Sequence, residues 1–369
     1  MSDSLGRRIA AAARAAEAAG SDALLITNPA NILYVSGFGG TAGRILLCRG
    51  RLYFMTDFRY SRTVRALAGA WPVGSQVIEI SGSYDDVLGR VMREAGAGRV
   101  AFEAGHVSVA QHRIWSERLT GVELVPSEGL IERLRLVKDA GELATLREAG
   151  RRISELAGSL AEWVRRGRRE REIAADVNHA MARAGFSRPA FETMVASGPN
   201  AALPHARPGD RVLERGDLVV IDFGGVLDGY AVDITRTVSI GPAGERAKDL
   251  HGGVLEAQAA AASLVRPGAA PAAIDTAARG VLERRGYGGA LRHATGHGLG
   301  LDVHEAPRLS KDAPDGGGTL APGMVVTIEP GAYLDEPPEM GVRIEDDLAV
   351  TSDGPEWLTH APRELTELS

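Results

Sequence analysis

Short apolar runs and stretches with helical spacing alternate along the first third of the chain. RILLC (44–48), RLYFMTD (51–57) and SQVIEIS (75–81) read as strands, and the segments between them as helices. This alternation predicts a compact α/β domain over residues 1–127. Arg49 and Gly50 leave a two-residue connection between the first two runs, a length that closes a hairpin. The Ala-rich start is interrupted by Arg14 and Glu17 and predicts an amphipathic helix. From residue 128 the period changes. IERLRLVKDAGELATLREAGRRISELAGSLAEWV (131–164) carries Leu, Ile and Val three and four apart with charges between, predicting a linker helix followed by a long amphipathic one. The domain boundary is placed here. Beyond it, strand runs surround helices at about 247–265 and 271–285, so the second domain, 128–369, reads as α+β. DAPDGGG (312–318) reads as a loop.

The second domain repeats itself. LERGDLVVIDFGG (213–225) aligns without gaps on LAPGMVVTIEPGA (320–332), with identities at Leu213, Gly216, Val219, Ile221 and Gly224. One acid follows the shared Ile in each copy, Asp222 and Glu329, and a second follows on a return strand, Asp233 after GYAV and Glu345 after GVRI. A lone strand-end Asp would ordinarily face water, but LVVI and VVTI are the kind of run that belongs to buried sheet. An ionised carboxylate buried without a partner costs several kcal/mol. Four converging acids therefore require positive charge. Arg236 and Arg343 offer one partner each, and divalent cations satisfy the remainder. Carboxylates joined by an imidazole favour Mn²⁺, Co²⁺ or Zn²⁺ over Ca²⁺. HATGHGLGLDVHEAP (293–307) supplies His293, His297 and His304, three of the nine histidines of the chain. His205 stands alone in SGPNAALPHARPGD (197–210), a loop-like stretch of the kind that carries functional residues.

Bulk properties narrow the classes. A chain of 369 residues exceeds one hydrophobic core, in keeping with two domains. Net charge is −6, so the basic footprint of a nucleic-acid binder is missing. No apolar run has bilayer length, and Arg7 and Arg8 are not followed by the uninterrupted apolar stretch of an export signal. Neither a nucleic-acid nor a membrane partner is expected. The single cysteine, Cys48, excludes an intramolecular disulfide and a thiolate metal site, and points to a reducing, cytoplasmic compartment.

IDFGGVLDGYAVDITRT (221–237), GHGLGLDVHEAPR (296–308), VVTIEPG (325–331) and GVRIEDD (341–347) resemble the motifs of the creatinase, prolidase and methionine aminopeptidase superfamily. TNPANILYVSGF (27–38) and TDFRY (56–60) resemble the N-terminal domain of prolidases and aminopeptidase P, which methionine aminopeptidases lack. The resemblance implies a pita-bread catalytic domain with an internal pseudo-twofold, preceded by a smaller creatinase/prolidase-type domain. It also implies two divalent metal ions, Mn²⁺ foremost, held by Asp222, Asp233, His297, Glu329 and Glu345. Asp233 and Glu345 would serve both ions, Asp222 one of them, and His297 with Glu329 the other. Creatinase has the fold without the metals, and the complete ligand set disfavours that chemistry here.

The implied activity is hydrolysis of the Xaa-Pro bond, with dipeptides as the expected substrates and Xaa-Pro aminopeptidase action on longer peptides as the alternative. A metal-dependent lyase or a binding protein on the same fold stands third. In the implied mechanism the ions activate a water and polarise the scissile carbonyl, and Glu329 shuttles the proton. His205, His293 and His304 would surround the substrate, and Arg308 would grip a dipeptide carboxylate. Arg343 would orient Glu345. Tyr230 and Phe191 read as core. The family resemblance also implies a homodimer.

Overall fold

A computed structural model describes residues 2–313 and 318–369; residues 314–317 of the expected 312–318 loop lie outside the described residues. The chain divides into two compact units, Met1–Arg135 and Leu136–Ser369.

The first unit is built on a six-stranded mixed sheet. Its central strand, Ala23–Ile26, pairs antiparallel with Arg44–Cys48 and parallel with Arg99–Glu103, and all four of its side chains are buried. Arg44–Cys48 and Arg51–Thr56 form the expected hairpin, with Cys48 opposite Arg51. Both turn residues take positive φ, Arg49 at 50° and Gly50 at 71°, as a tight hairpin twisted with its strands requires. The first helix, Ser2–Ala18, buries Leu5, Ile9, Ala12 and Ala16 at spacings of three and four and exposes Arg7 and Arg14 between them.

The second unit opens with the helix Ala140–Gly158, whose start is fixed by a capping box between Asp139 and Glu142. With the helix Glu170–Arg183 it covers the outer face of a long hairpin, Leu218–Leu227 and Tyr230–Ile240, and one apolar core fills the space between. The sequence-predicted helices near 247–265 and 271–285 are Glu245–Ala262 and Pro271–Arg284. They form a second core against strands Val325–Ile328, Gly331–Leu334, Met340–Arg343 and Asp346–Thr351. Each half is thus two helices on a strand pair, the internal symmetry anticipated from the repeat. Among the described residues no helix is long and apolar enough to cross a membrane.

The halves differ where the acids stand. In the first hairpin the ladder runs unbroken, Asp222 facing Thr235 and Gly224 facing Asp233. Gly224 is required there, because a Cβ would lie 2.3 Å from the Val232 carbonyl oxygen and 2.7 Å from the Phe191 ring. In the second hairpin the ladder opens. Ile328 pairs with Asp346 and Gly331 with Arg343, but Glu329 and Glu345 between them leave the pairing. Pro330 offers no N–H to continue it. The freed N–H of Glu329 donates instead to the Thr295 carbonyl at 2.8 Å, and that of Glu345 to the Thr235 carbonyl at 3.1 Å. Through Thr235 and Glu345 the opened strand of one half is tied to the hairpin of the other.

Candidate metal centre

The two hairpins deliver their acids to one cavity of about 620 Å³. Its walls include Asp222, Asp233, His297, Glu329 and Glu345 together with His205, His293, His304, Arg308 and Arg343. All ten residues singled out from the sequence are therefore brought together. Phe191, read from the sequence as core, also lines this cavity, whereas Tyr230 is buried with its hydroxyl donating to Glu142 Oε1 at 2.9 Å.

Asp233 is 5% and Glu345 2% exposed. Burial, and then the neighbouring Glu345 carboxylate, hold the Asp233 carboxyl well above the usual range. Burial, and then Glu329, do the same to Glu345. Burial raises Glu329 as well. Only part of this acid load is met by the protein. Thr235 Oγ1 donates to Glu345 Oε2 at 2.7 Å, and Arg343 Nη2 donates to Asp222 Oδ2 at 2.5 Å. Asp222 Oδ1, Asp233 Oδ1 and Glu345 Oε1 are buried without a hydrogen-bond partner among the described residues. Native structures rarely leave such atoms unsatisfied, and a cation is one group that satisfies them.

His297 fits the same purpose. Its Nδ1 lies 2.9 Å from the Gly298 carbonyl, which can only accept, so the proton of the neutral ring sits there and Nε2 presents a lone pair to the acids. That nitrogen is 3.4 Å from Glu329 Oε1, and one ligand atom each from Asp233, His297 and Glu345 lie within 4.8 Å of one another. Burial lowers the pKa of His297, which favours the neutral, ligating form. The donor set of carboxylates and one imidazole suits a borderline divalent ion.

The two arginines offered by the sequence behave differently. Arg343 is 4% exposed and reaches Asp222 directly; it is linked to Glu345 by hydrogen bonds through Thr235, whose Oγ1 lies 3.2 Å from Arg343 Nε. Arg236 neutralises none of the four acids. Its guanidinium pairs with Asp346 at 2.8 Å and donates to the carbonyls of Thr235, Glu345, Ala361 and Pro362, because it points away from the cavity along the strand pair.

Three residues not anticipated from the sequence complete the site. Tyr333 accepts from Arg343 Nη1 at 2.8 Å and stands 2.9 Å from His293 Nε2. Since His293 Nδ1 faces the Ala294 carbonyl at 2.7 Å, the ring proton is on Nδ1 and Tyr333 donates to Nε2. Both nitrogens of His293 are thereby engaged, 3.9 Å from Glu329. Asp347, wholly buried, accepts the Asp233 backbone N–H at 3.0 Å. Thr235 is the residue at which both hairpins meet. The last acid of GVRIEDD was a visible signal for Asp347; for Thr235 and Tyr333 the pairing itself was needed. His304 stands edge-on to His297, ring centroids 4.3 Å apart, and Arg308 pairs with His297 across strands while its side chain is exposed. His205 is exposed on its loop.

Residues 144–352 match the model of "Metallopeptidase family M24", and residues 8–137 that of the "Creatinase/Prolidase N-terminal domain". The Xaa-Pro dipeptidase of Pyrococcus furiosus is 32% identical over 346 residues, covering 93% of this chain and 95% of that protein. The structure of an Xaa-Pro dipeptidase from Bacillus anthracis superposes with a TM-score of 0.93 at 35% identity, over 99% of this chain and 100% of that one. An X-Pro aminopeptidase from Thermotoga maritima superposes with a TM-score of 0.87 at 34% identity, over 96% and 100%. With its repeated hairpins, its acid-lined cavity and these matches over nearly its whole length, the chain belongs to metallopeptidase family M24, with a creatinase/prolidase N-terminal domain ahead of the catalytic one.

Proposed function

We propose that this chain hydrolyses the bond before proline in Xaa-Pro dipeptides, using two divalent cations held by Asp222, Asp233, His297, Glu329 and Glu345. Mn²⁺ is the first candidate, and Co²⁺ and Zn²⁺ are the others. The observation that carries the reading is the set of buried oxygens on Asp222, Asp233 and Glu345, unpartnered among the described residues, beside the lone pair of His297. Bound there, the ions would polarise the scissile carbonyl and bring the pKa of a water near neutrality. Glu329 takes up the nucleophile's proton and passes it to the leaving proline nitrogen. His205 and His304, exposed on the cavity wall, donate to the substrate carbonyl oxygen as charge develops on it. His293, fixed by Ala294 and Tyr333, buttresses Glu329. Phe191 and Met194 supply the apolar part of the wall, suited to a proline ring, and exposed Arg308 pairs with the free carboxylate of a dipeptide.

The test loads the purified chain with Mn²⁺, Co²⁺ or Zn²⁺ and offers Ala-Pro and Ala-Pro-Ala, following free proline and released alanine. Cleavage of Ala-Pro is expected. Cleavage of the tripeptide alone would move the assignment to an aminopeptidase acting on longer peptides, and hydrolysis of neither would overturn the peptidase reading.

A further inference from the structure

The loop that carries His205 is held from a distance by one buried acid. Glu170, the first residue of the helix Glu170–Arg183, is 0% exposed. Its Oε1 accepts from Ser197 N at 2.8 Å, from Ser197 Oγ at 2.7 Å and from Asn200 Nδ2 at 3.0 Å. Its Oε2 accepts from Gly209 N at 3.0 Å and from Asn200 Nδ2 at 3.2 Å. Ser197 and Gly209 are the two feet of the loop, and Asn200 lies in the turn of 3₁₀ helix Gly198–Ala202 that leads toward His205. Arg211 extends the same clamp, donating to Ser197 Oγ at 2.7 Å while paired with Asp217 at 2.6 Å.

The far side of the loop rests on the metal-site hairpin. Arg343 Nη1 donates to the carbonyl of Pro204, next to His205, at 3.1 Å. Gly341 admits the close approach, for a Cβ there would lie 1.8 Å from the Ala201 carbonyl oxygen. The loop is thus bonded at both feet by Glu170 and beside His205 by Arg343.

We propose that Glu170 is a positioning residue for His205: its buried carboxylate, by gathering donors from both feet of the 197–209 loop, sets where His205 stands in the cavity. The role given to His205 rests on the peptidase reading above, whereas the clamp does not. The physical ground is that an acceptor-only carboxylate at a helix N-terminus binds several N–H and O–H donors at once, while an amide of the same shape turns one acceptor into a donor and breaks the set. A displacement of about 1 Å in a substrate-touching group costs up to about 100-fold in rate.

The experiment compares Glu170→Gln with the parent full-length protein, and repeats the pair in a His205→Ala background. Asn200→Ala, which removes one donor and leaves the carboxylate intact, serves should Glu170→Gln fail to fold. Amide exchange across 197–209 is read in every protein, with kcat/KM on whichever of Ala-Pro and Ala-Pro-Ala the parent cleaves, and metal content. Glu170→Gln is expected to speed exchange by about 10-fold or more within that segment and leave metal content unchanged, because a broken local clamp opens without global unfolding. It is expected to lower kcat/KM by about 10- to 100-fold in the parent. In the His205→Ala background the further loss is expected to be under about 2-fold, since residues acting through one another are not additive. Equal losses in the two backgrounds, or unchanged exchange, would overturn the proposal. Should the parent cleave neither substrate, the peptidase reading falls and exchange alone decides on the clamp: acceleration confined to 197–209 upholds it, and no acceleration refutes it.

Discussion

Stripping divalent ions from this protein is expected to weaken it more as pH rises. Asp233, Glu345 and Glu329 are buried together, and burial with mutual repulsion raises all three carboxyls above their unfolded range, about 4. A raised carboxyl contributes stability that is fully present below the unfolded value and is lost as pH rises through the folded one. Bound cations reverse this sign, because they bind the ionised forms and expel the protons. An ion at about 1,000 times its Kd adds about 4 kcal/mol. For a catalytic unit spanning Leu136–Ser369 that corresponds to a rise in Tm of about 8–16 °C. Each proton released adds about 1.4 kcal/mol per pH unit, so the gap between metal-free and loaded protein should widen by about 3–6 °C per unit per proton. Scanning calorimetry between pH 5 and 8 with chelator or with Mn²⁺ measures the gap, and titration calorimetry in buffers of different ionisation heat counts the protons. A gap that is absent, constant, or narrowing with pH would rule out cations bound to these carboxylates in exchange for their protons.

Other consequences can be checked singly. Asp233→Asn should lower metal content and abolish Xaa-Pro hydrolysis, since it removes a buried carboxylate oxygen with no other partner among the described residues; full activity with full metal would discard the proposed role of Asp233. Burial lowers the His251 pKa to about 4, so between its unfolded value near 6.5 and pH 4 the unfolded chain takes up a proton that the folded one refuses. That costs about 3 kcal/mol across the window, and His251→Leu should flatten the urea-measured loss on acidification by about that amount. Arg236→Ala should destabilise by about 3–5 kcal/mol in urea titrations, because it strips a buried partner from Asp346 and removes a donor from four carbonyls, of which that of Thr235 keeps the Glu345 N–H. Gly224→Ala should cost about 1–3 kcal/mol through its approach to the Val232 carbonyl, with a normal Tm counting against the register described.

Much of this protein is written in short-range pattern. Hydrophobic period located the helices near 247–265 and 271–285, Arg49-Gly50 announced a turn that positive φ realises, and the gapless repeat announced two hairpins with two acids each, although Glu329 and Glu345 stand between strands and not on them. These features depend on neighbours a few residues apart, or on copies of one local unit. Tertiary structure alone decided the pairings between the halves. Arg343 reaches Asp222 across 121 residues and Thr235 reaches Glu345 across 110, while Arg236, equally basic and equally close to the motifs, turns to Asp346. Phe191 looked like core because an aromatic after a polar loop carries no mark of which side it faces. Glu170 is one of three acids in RREREIAADV, and the return of Ser197, Asn200 and Gly209 to its carboxylate shows what it holds. Residue type and spacing determine which groups are available. Where the chain comes back upon itself determines which of them meet, because hydrogen bonds and ion pairs fall off within a few ångströms and no one-dimensional spacing encodes that distance.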